Sequence, residues 1–599
     1  MGKKVIWLVV SCLMVASLVL ASCAPAVIEE EEVVKKEEVK KEEVKEEVVK
    51  EEVAPEPEGP KYGGVYVACH EESIVGFDET RATASRAYSL HLTQEAPQVG
   101  DWAKGPAGTG EASWLIDSIY SGKIETGALA ESWDIPDNET IIFHIRKGVY
   151  WHNKPPVNGR ELTAADVAFS FNYNFGIDRH YVTRAHGGWW LEAEATDKYT
   201  VVIRGKESQI YRTAAVWDYV ADWIYVIPPE SYEGGKDQGD WRDALGTGPF
   251  MLTDFVPDSA LTFVRNPNYW MKDPVGPGKG NQLPYLDGVK ILIIKDASTR
   301  LAALRTGKID NLLALFWEDS EILINANPDL QYVKYLKPNA TNIYMRMDKG
   351  LPFDDIKVRR ALQIAIDRQA IADEYFNGGE VLAWPIAPYP EFEAMYTPID
   401  KLPESTRELY EYNTDKAKQL LAEAGYPDGF ATEVVCYSAD VDLLSIVADY
   451  WTKIGVDLKL DVKERAVWYS YYSLSQHEQM LCYTKTLGGP LKMTEVKPGS
   501  VVNLSKVDDP YINERYGGIW AYENIGNEPE RERLMKECAL RMLDQAWICS
   551  MPVGYVYNIW WPWLKNYHGE SAIGYFNRFN YATWMWIDQD LKEELTGKR

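Results

Sequence analysis

The chain has 599 residues, too many for one hydrophobic core, so its length predicts two or three lobes. Its 90 Asp and Glu against 63 Lys and Arg leave a net charge of −27 and no surplus of basic surface, which argues against a nucleic-acid partner. With 22 Trp and 37 Tyr the chain is rich in side chains that bury large area while keeping a polar handle, and most of them are expected in the core.

Taken in order, Met1 to Ser22 carries Lys3 and Lys4, an apolar run from Val5 to Leu20 and small residues directly before Cys23, the pattern of a signal peptide. Its ending Leu20-Ala21-Ser22-Cys23 resembles a bacterial lipobox. That resemblance implies cleavage before Cys23, lipid on this residue and residence outside the cytoplasmic membrane. From Glu29 to Val53 the sequence is almost wholly Glu, Lys and Val, followed by Pro55, Pro57 and Pro60. So little apolar surface cannot offset the ordering of the chain, and 23–60 reads as a tether.

A globular body is expected from Lys61, with a first strand at Val65 to Ala68. Ile141, Phe143 and Ile145 alternate with Ile142, His144 and Arg146, the period of a strand with one buried face. Thr163-Ala164-Ala165-Asp166 then opens a helix in capping-box fashion. Gly246-Thr247-Gly248-Pro249-Phe250 leads to Arg265-Asn266-Pro267-Asn268-Tyr269-Trp270, a hairpin-like pair of strands. A strand at Val289 to Ile294 and a helix at Ala297 to Arg305 follow. Further helices are predicted around Val358, Leu362, Ala365 and Ile366, and from Asn413 to a C-terminal cap at Gly425. Strands alternating with helices argue an α/β fold.

The order Leu129-Ala130-Glu131-Ser132-Trp133, Phe143-His144-Ile145-Arg146-Lys147-Gly148, Trp151-His152 and Leu162-Thr163-Ala164-Ala165-Asp166-Val167 resembles the signature of the peptide/nickel-type extracellular solute-binding proteins that feed ABC importers. The resemblance continues through the 246–270 hairpin, the helices near 358 and 417, and Trp451-Thr452-Lys453-Ile454-Gly455-Val456. It implies an α/β, two-lobed periplasmic-binding-protein-like fold of class II type with an extra subdomain on the first lobe. On that pattern 61–106, 228–311 and 525–599 form lobe I, 107–227 the extra subdomain and 312–524 lobe II.

No enzyme constellation is present in the sequence. His70-Glu71-Glu72 and His477-Glu478 lack the second histidine that a zinc helix needs, and neither a Gly-x-Ser-x-Gly elbow nor a Walker loop occurs. Seven cysteines, one in the signal segment and one at the lipid site, leave Cys69, Cys436, Cys482, Cys538 and Cys549, an odd number with no metal spacing. The chain is therefore read as a binding protein without cofactor or metal.

In the resembling family two lobes close on a ligand, and an aspartate in a Trp-Thr-Gly-Asp-type loop pairs with a peptide's α-ammonium. The matching stretch here is Tyr483-Thr484-Lys485-Thr486, which puts Thr486 at the place of that aspartate and Lys485 beside it. A buried ammonium without a carboxylate is costly, so the ordinary mode of peptide binding is put in question. If Lys485 faces the cleft, an anionic ligand group is favoured; if it points outward, stacking on a neutral ligand such as an oligosaccharide is. Trp189-Trp190 and Trp384-Pro385, in turn-rich segments, are the aromatic candidates, equally readable as packing between lobes, and His70 and Glu72 follow the first strand. The resulting expectation is a monomeric, lipid-anchored receptor that hands a peptide-like or other small organic solute to an ABC permease. The alternatives are an oligosaccharide binder of the same family, a cell-surface glycosidase and a receptor for a membrane sensor.

Overall fold

In the computed structural model, the described residues are 59–598 apart from 75, 78–89, 117–121, 138, 177–190, 206–223, 233–238, 338, 487–489, 501, 525 and 575–576. The signal segment, Cys23, most of the tether and the Trp189-Trp190 pair lie outside them. No helix among the described residues is long and apolar enough to cross a membrane.

The body begins with β1 (Val65–His70), which pairs in parallel with β8 (Gly288–Ile293). β8 continues antiparallel to β7 (Ala260–Arg265) and β7 to β6 (Phe250–Val256), giving the sheet order β1-β8-β7-β6. The hairpin expected at 246–270 is this β6–β7 pair. A second sheet, β2-β3-β5-β4, is built from β2 (Ala130–Asp137), β3 (Thr140–Ile145), β4 (Leu191–Asp197) and β5 (Thr200–Gly205). Ile141, Phe143 and Ile145 of β3 are buried as their alternation requires. They face α1 (Ala164–Phe175), where the capping box is present and Asp166 Oδ2 accepts the Thr163 N–H at 2.9 Å.

The chain then passes α2 (Ala297–Arg305), β9 (Asn311–Phe316), α3 (Trp317–Ala326) and β10 (Gln331–Leu336). β9 and β10 flank a late strand, labelled β16 (Tyr555–Trp560), in a three-stranded sheet. Next come β11 (Asn339–Met345), α4 (Ile356–Ile364), α5 (Thr414–Glu423), β12 (Phe430–Tyr437), α6 (Val441–Thr452), β13 (Val456–Lys463), α7 (Arg465–Leu474) and β14 (Met480–Thr486). With β15 (Ile548–Ser550) they form a five-stranded sheet in the order β13-β12-β14-β11-β15. The stretch 525–599, expected to return wholly to the first lobe, thus contributes β15, whose Ile548–Ser550 face Tyr344–Asn342 of β11. Main-chain pairing across so long a sequence separation leaves no local signal.

The molecule is two-lobed with mixed α and β content. A separate apolar cluster of the second lobe gathers Val358 and Leu362 of α4, Val434 and Cys436 of β12, Val447 and Trp451 of α6 and Cys482 of β14. The family-like motifs of the first lobe converge on one half-buried carboxylate. Glu95 accepts the Thr247 hydroxyl at 2.7 Å, the Tyr269 hydroxyl at 2.9 Å and the Trp270 indole N–H at 3.0 Å. His152 lies against Gly248, its Nε2 3.0 Å from that carbonyl. These residues hold the frame together, and the site is built on its edges.

Candidate ligand-binding cleft

β12 runs parallel to both β13 and β14, so Tyr437, Lys463 and Thr486 finish at the same edge of the second-lobe sheet. β1 and β8 are likewise parallel and end together at His70 and Ile293. In open α/β sheets ligands bind outside the carboxyl ends of the strands, because the loops and helix starts there are free to vary. The two edges meet in this molecule. Arg465, two residues after β13, places Nη1 3.2 Å from Oε1 of Glu72, two residues after β1.

On the first-lobe side, the His70 ring Nδ1 lies 3.0 Å from the Glu72 carbonyl oxygen and accepts the Glu72 N–H at 3.1 Å by geometry. Partial burial pushes its imidazole below the ordinary value, so the ring is neutral at pH 7. His70 therefore shapes the turn that carries Glu72 toward the other lobe. On the facing side, Tyr483 belongs to a ring cluster with Trp468 (centroids 5.3 Å apart) and Tyr472 (4.4 Å), and Tyr437 at the end of β12 lies 5.0 Å from Trp468. The Trp468 indole donates to the Cys482 carbonyl at 3.1 Å, which fixes α7 on β14.

Lys485 forms an ion pair within the protein. Its Nζ lies 2.7 Å from Oε1 of Glu495, a residue with no exposed side-chain surface, and the Tyr344 hydroxyl donates to the other oxygen at 3.0 Å. The cation is engaged by the protein itself. Thr486 closes β14 opposite Asn339. Trp384 is buried at 2 % exposure in the larger apolar core with Ile386 and Ala387.

One group at this edge was not singled out in the sequence. Asp440, three residues beyond β12 and directly before α6, is 4 % exposed. Its Oδ1 accepts the Thr484 hydroxyl at 3.3 Å, and burial pushes its carboxyl up to about 6. Only the pairing of β12 with β14 brings it beside Thr484, so periodicity could not have found it. The remaining thiols are free, with Cys436, Cys482, Cys538 and Cys549 buried and Cys69 partly so.

These edges, strand ends and helix starts define a solute-binding protein of the two-lobed kind, and comparison with known proteins agrees. Residues 126–481 match the model for bacterial extracellular solute-binding proteins, family 5 (middle region), and the chain belongs to that family. It is 28 % identical over 513 residues to "Heme-binding protein A" of Haemophilus influenzae, covering 81 % of this chain and 86 % of that one. To the "Dipeptide-binding protein" of Pseudomonas aeruginosa it is 26 % identical over 546 residues, 84 % of this chain and 91 % of the relative. In fold it is similar to the Helicobacter pylori periplasmic binding protein DppA solved with the peptide STSA. That match has a TM-score of 0.66 at 21 % identity and covers 88 % of this chain and 99 % of the other.

Proposed function

We propose that this chain is the solute receptor of an ABC importer, capturing a peptide-like or other small organic solute between its lobes and presenting the closed form to a membrane permease. The observation that carries the reading is the meeting of the two sets of parallel-strand ends across Glu72 and Arg465. A ligand seated there touches both lobes, so its binding energy favours the closed arrangement over the open one. The peptide and heme binders among the relatives support a small organic solute. No covalent step enters this reading; specificity comes from complementarity alone. Cys23, carrying lipid and followed by the Glu, Lys and Val-rich tether, would keep the receptor at the outer face of the membrane, where the permease is.

Mass spectrometry of small molecules released from natively purified protein tests this reading. A co-purifying solute that raises the melting temperature and shrinks the radius of gyration on re-addition is the expected result. Turnover of that solute by the protein, or binding with no change in radius, would overturn it.

A further inference from the structure

The chain crosses from the first lobe to the second between β10 and β11, after Leu336, and returns between β15 and β16, after Ser550. The first-lobe side of both crossings is fixed, because Asn311 of β9 accepts the Tyr66 hydroxyl of β1 at 2.7 Å. The crossings are tied to each other where the Lys337 N–H donates to the Gly554 carbonyl at 2.9 Å. A third segment joins them. Glu380 and Val553 form an antiparallel bridge, exchanging N–H···O bonds of 2.8 and 2.9 Å. Gly379 permits this approach, since a Cβ there would stand 2.5 Å from the Val553 carbonyl oxygen.

This third segment is an excursion of the second lobe. Ile371 before it and Leu409 after it both lie in the second-lobe apolar cluster. Between them, the Tyr389 hydroxyl donates to the Leu336 carbonyl at the end of β10. Two residues on, the excursion reaches the first lobe, where Glu391 Oε1 accepts the Ser113 N–H at 2.7 Å and the Ser113 hydroxyl at 3.1 Å. Ser113 belongs to the first lobe through its neighbour, because the Trp114 carbonyl accepts the Ser571 N–H at 2.7 Å and the Ser571 hydroxyl accepts from Asn558 of β16 at 3.1 Å. Glu391 is 8 % exposed, and its Oε2 makes no hydrogen bond among the described residues, so Ser113 carries the whole anchor. Pro385, Pro388 and Pro390 fix φ along the stretch and Trp384 is buried within it, so 379–391 transmits displacement instead of absorbing it.

We propose that 379–391 is a strap that makes the hinge three segments wide, with Glu391 as the positioning residue that pins it to the first lobe. The inference rests on the lobe closure proposed above and adds to it the device that fixes the axis of closure. Two crossings alone can twist as well as swing. A third segment, bonded beside Val553 and anchored at Ser113, opposes the twist, since turning the lobes about the crossings would pull a buried, charge-assisted contact apart. Contacts this close to the pivot move little as the lobes swing, so the strap stays docked in both states. Opening is left to the rim, where Glu72 and Arg465 face each other.

The test is hydrogen–deuterium exchange with site-resolved mass spectrometry on the full-length protein without added solute. In wild type the Lys337, Glu380 and Val553 amides are expected to exchange at least about 100-fold more slowly than an unstructured chain. Glu391→Ala is expected to speed these three about tenfold while the amides of β12 and β14 keep their rates. Glu391→Gln, which retains an acceptor for Ser113, stays within about threefold of wild type. The ligand-free radius of gyration of Glu391→Ala rises and remains raised in 1 M salt, because a buried contact is screened little. Fast wild-type exchange at Glu380 and Val553 overturns the strap. So does Glu391→Ala with an unchanged radius, with unchanged rates at the three amides, or with one uniform acceleration across both lobes. The wild-type measurement decides the matter even if a substitution fails to fold. Because no solute is used, failure here leaves the receptor reading standing, and that reading falls only on the solute experiment given above.

Discussion

Glu495 is fully enclosed, so the tolerance of its carboxylate depends on the Lys485 ammonium 2.7 Å away and on the Tyr344 hydroxyl. Removing the cation strands a buried charge, and such breaks cost more than the pair itself is worth. Lys485→Met is therefore expected to lower stability by about 3 kcal/mol in urea unfolding at pH 7, and adding Glu495→Gln to restore most of it. A second residue-scale effect comes from His152. Burial pushes its imidazole down to about 4, below its unfolded value. Its contribution is thus complete above the unfolded pKa of about 6.5 and is lost as pH falls from there toward 4. His477, also pushed down to about 4 by burial and then by the nearby Arg346, adds to the same slope. Urea titrations between pH 7 and 4 should show stability falling, less steeply in His152→Asn.

Between elements, close approach of backbone governs. A Cβ on Gly246 would stand 1.7 Å from the Thr93 carbonyl oxygen, a contact no rotamer can relieve. Gly246→Ala is expected to lower the melting temperature by several degrees, about 2 kcal/mol of overpacking, and to loosen the Glu95 network that Thr247 enters. At this scale the sequence was informative wherever structure is local. Alternation at Ile141, Phe143 and Ile145, the Thr163 cap and the 297–305 helix all appear where pattern placed them, because each depends on neighbours within a few residues. The candidate site was only partly legible. His70 ends β1, Glu72 follows it by two residues, Lys485 is next to last in β14 and Tyr483 lies in the middle of that strand, but the engagement of Lys485 depends on Glu495, and the placing of Asp440 on a β12–β14 pairing some forty residues apart. The crossing of β15 into the second-lobe sheet is set by register with β11, which leaves no trace in local periodicity.

For the whole molecule the question is what holds the lobes together. The Glu72–Arg465 pair bridges them, but Arg465 is exposed and Glu72 about half so, and ion pairs of that kind contribute about 0 to 1 kcal/mol and fade at high salt. So small a bias changes the open-to-closed ratio by at most about fivefold, too little to lock the receptor without ligand. Arg465→Glu replaces the attraction with repulsion at the same place. It is expected to enlarge the radius of gyration of the ligand-free protein in small-angle scattering at low salt, to lose that difference in 1 M salt, and to weaken ligand binding by no more than about tenfold, since the ligand still spans both walls. Saturating ligand should bring variant and wild type to the same radius. A variant that stays expanded with ligand bound would mean that the pair, rather than the solute, closes the cleft.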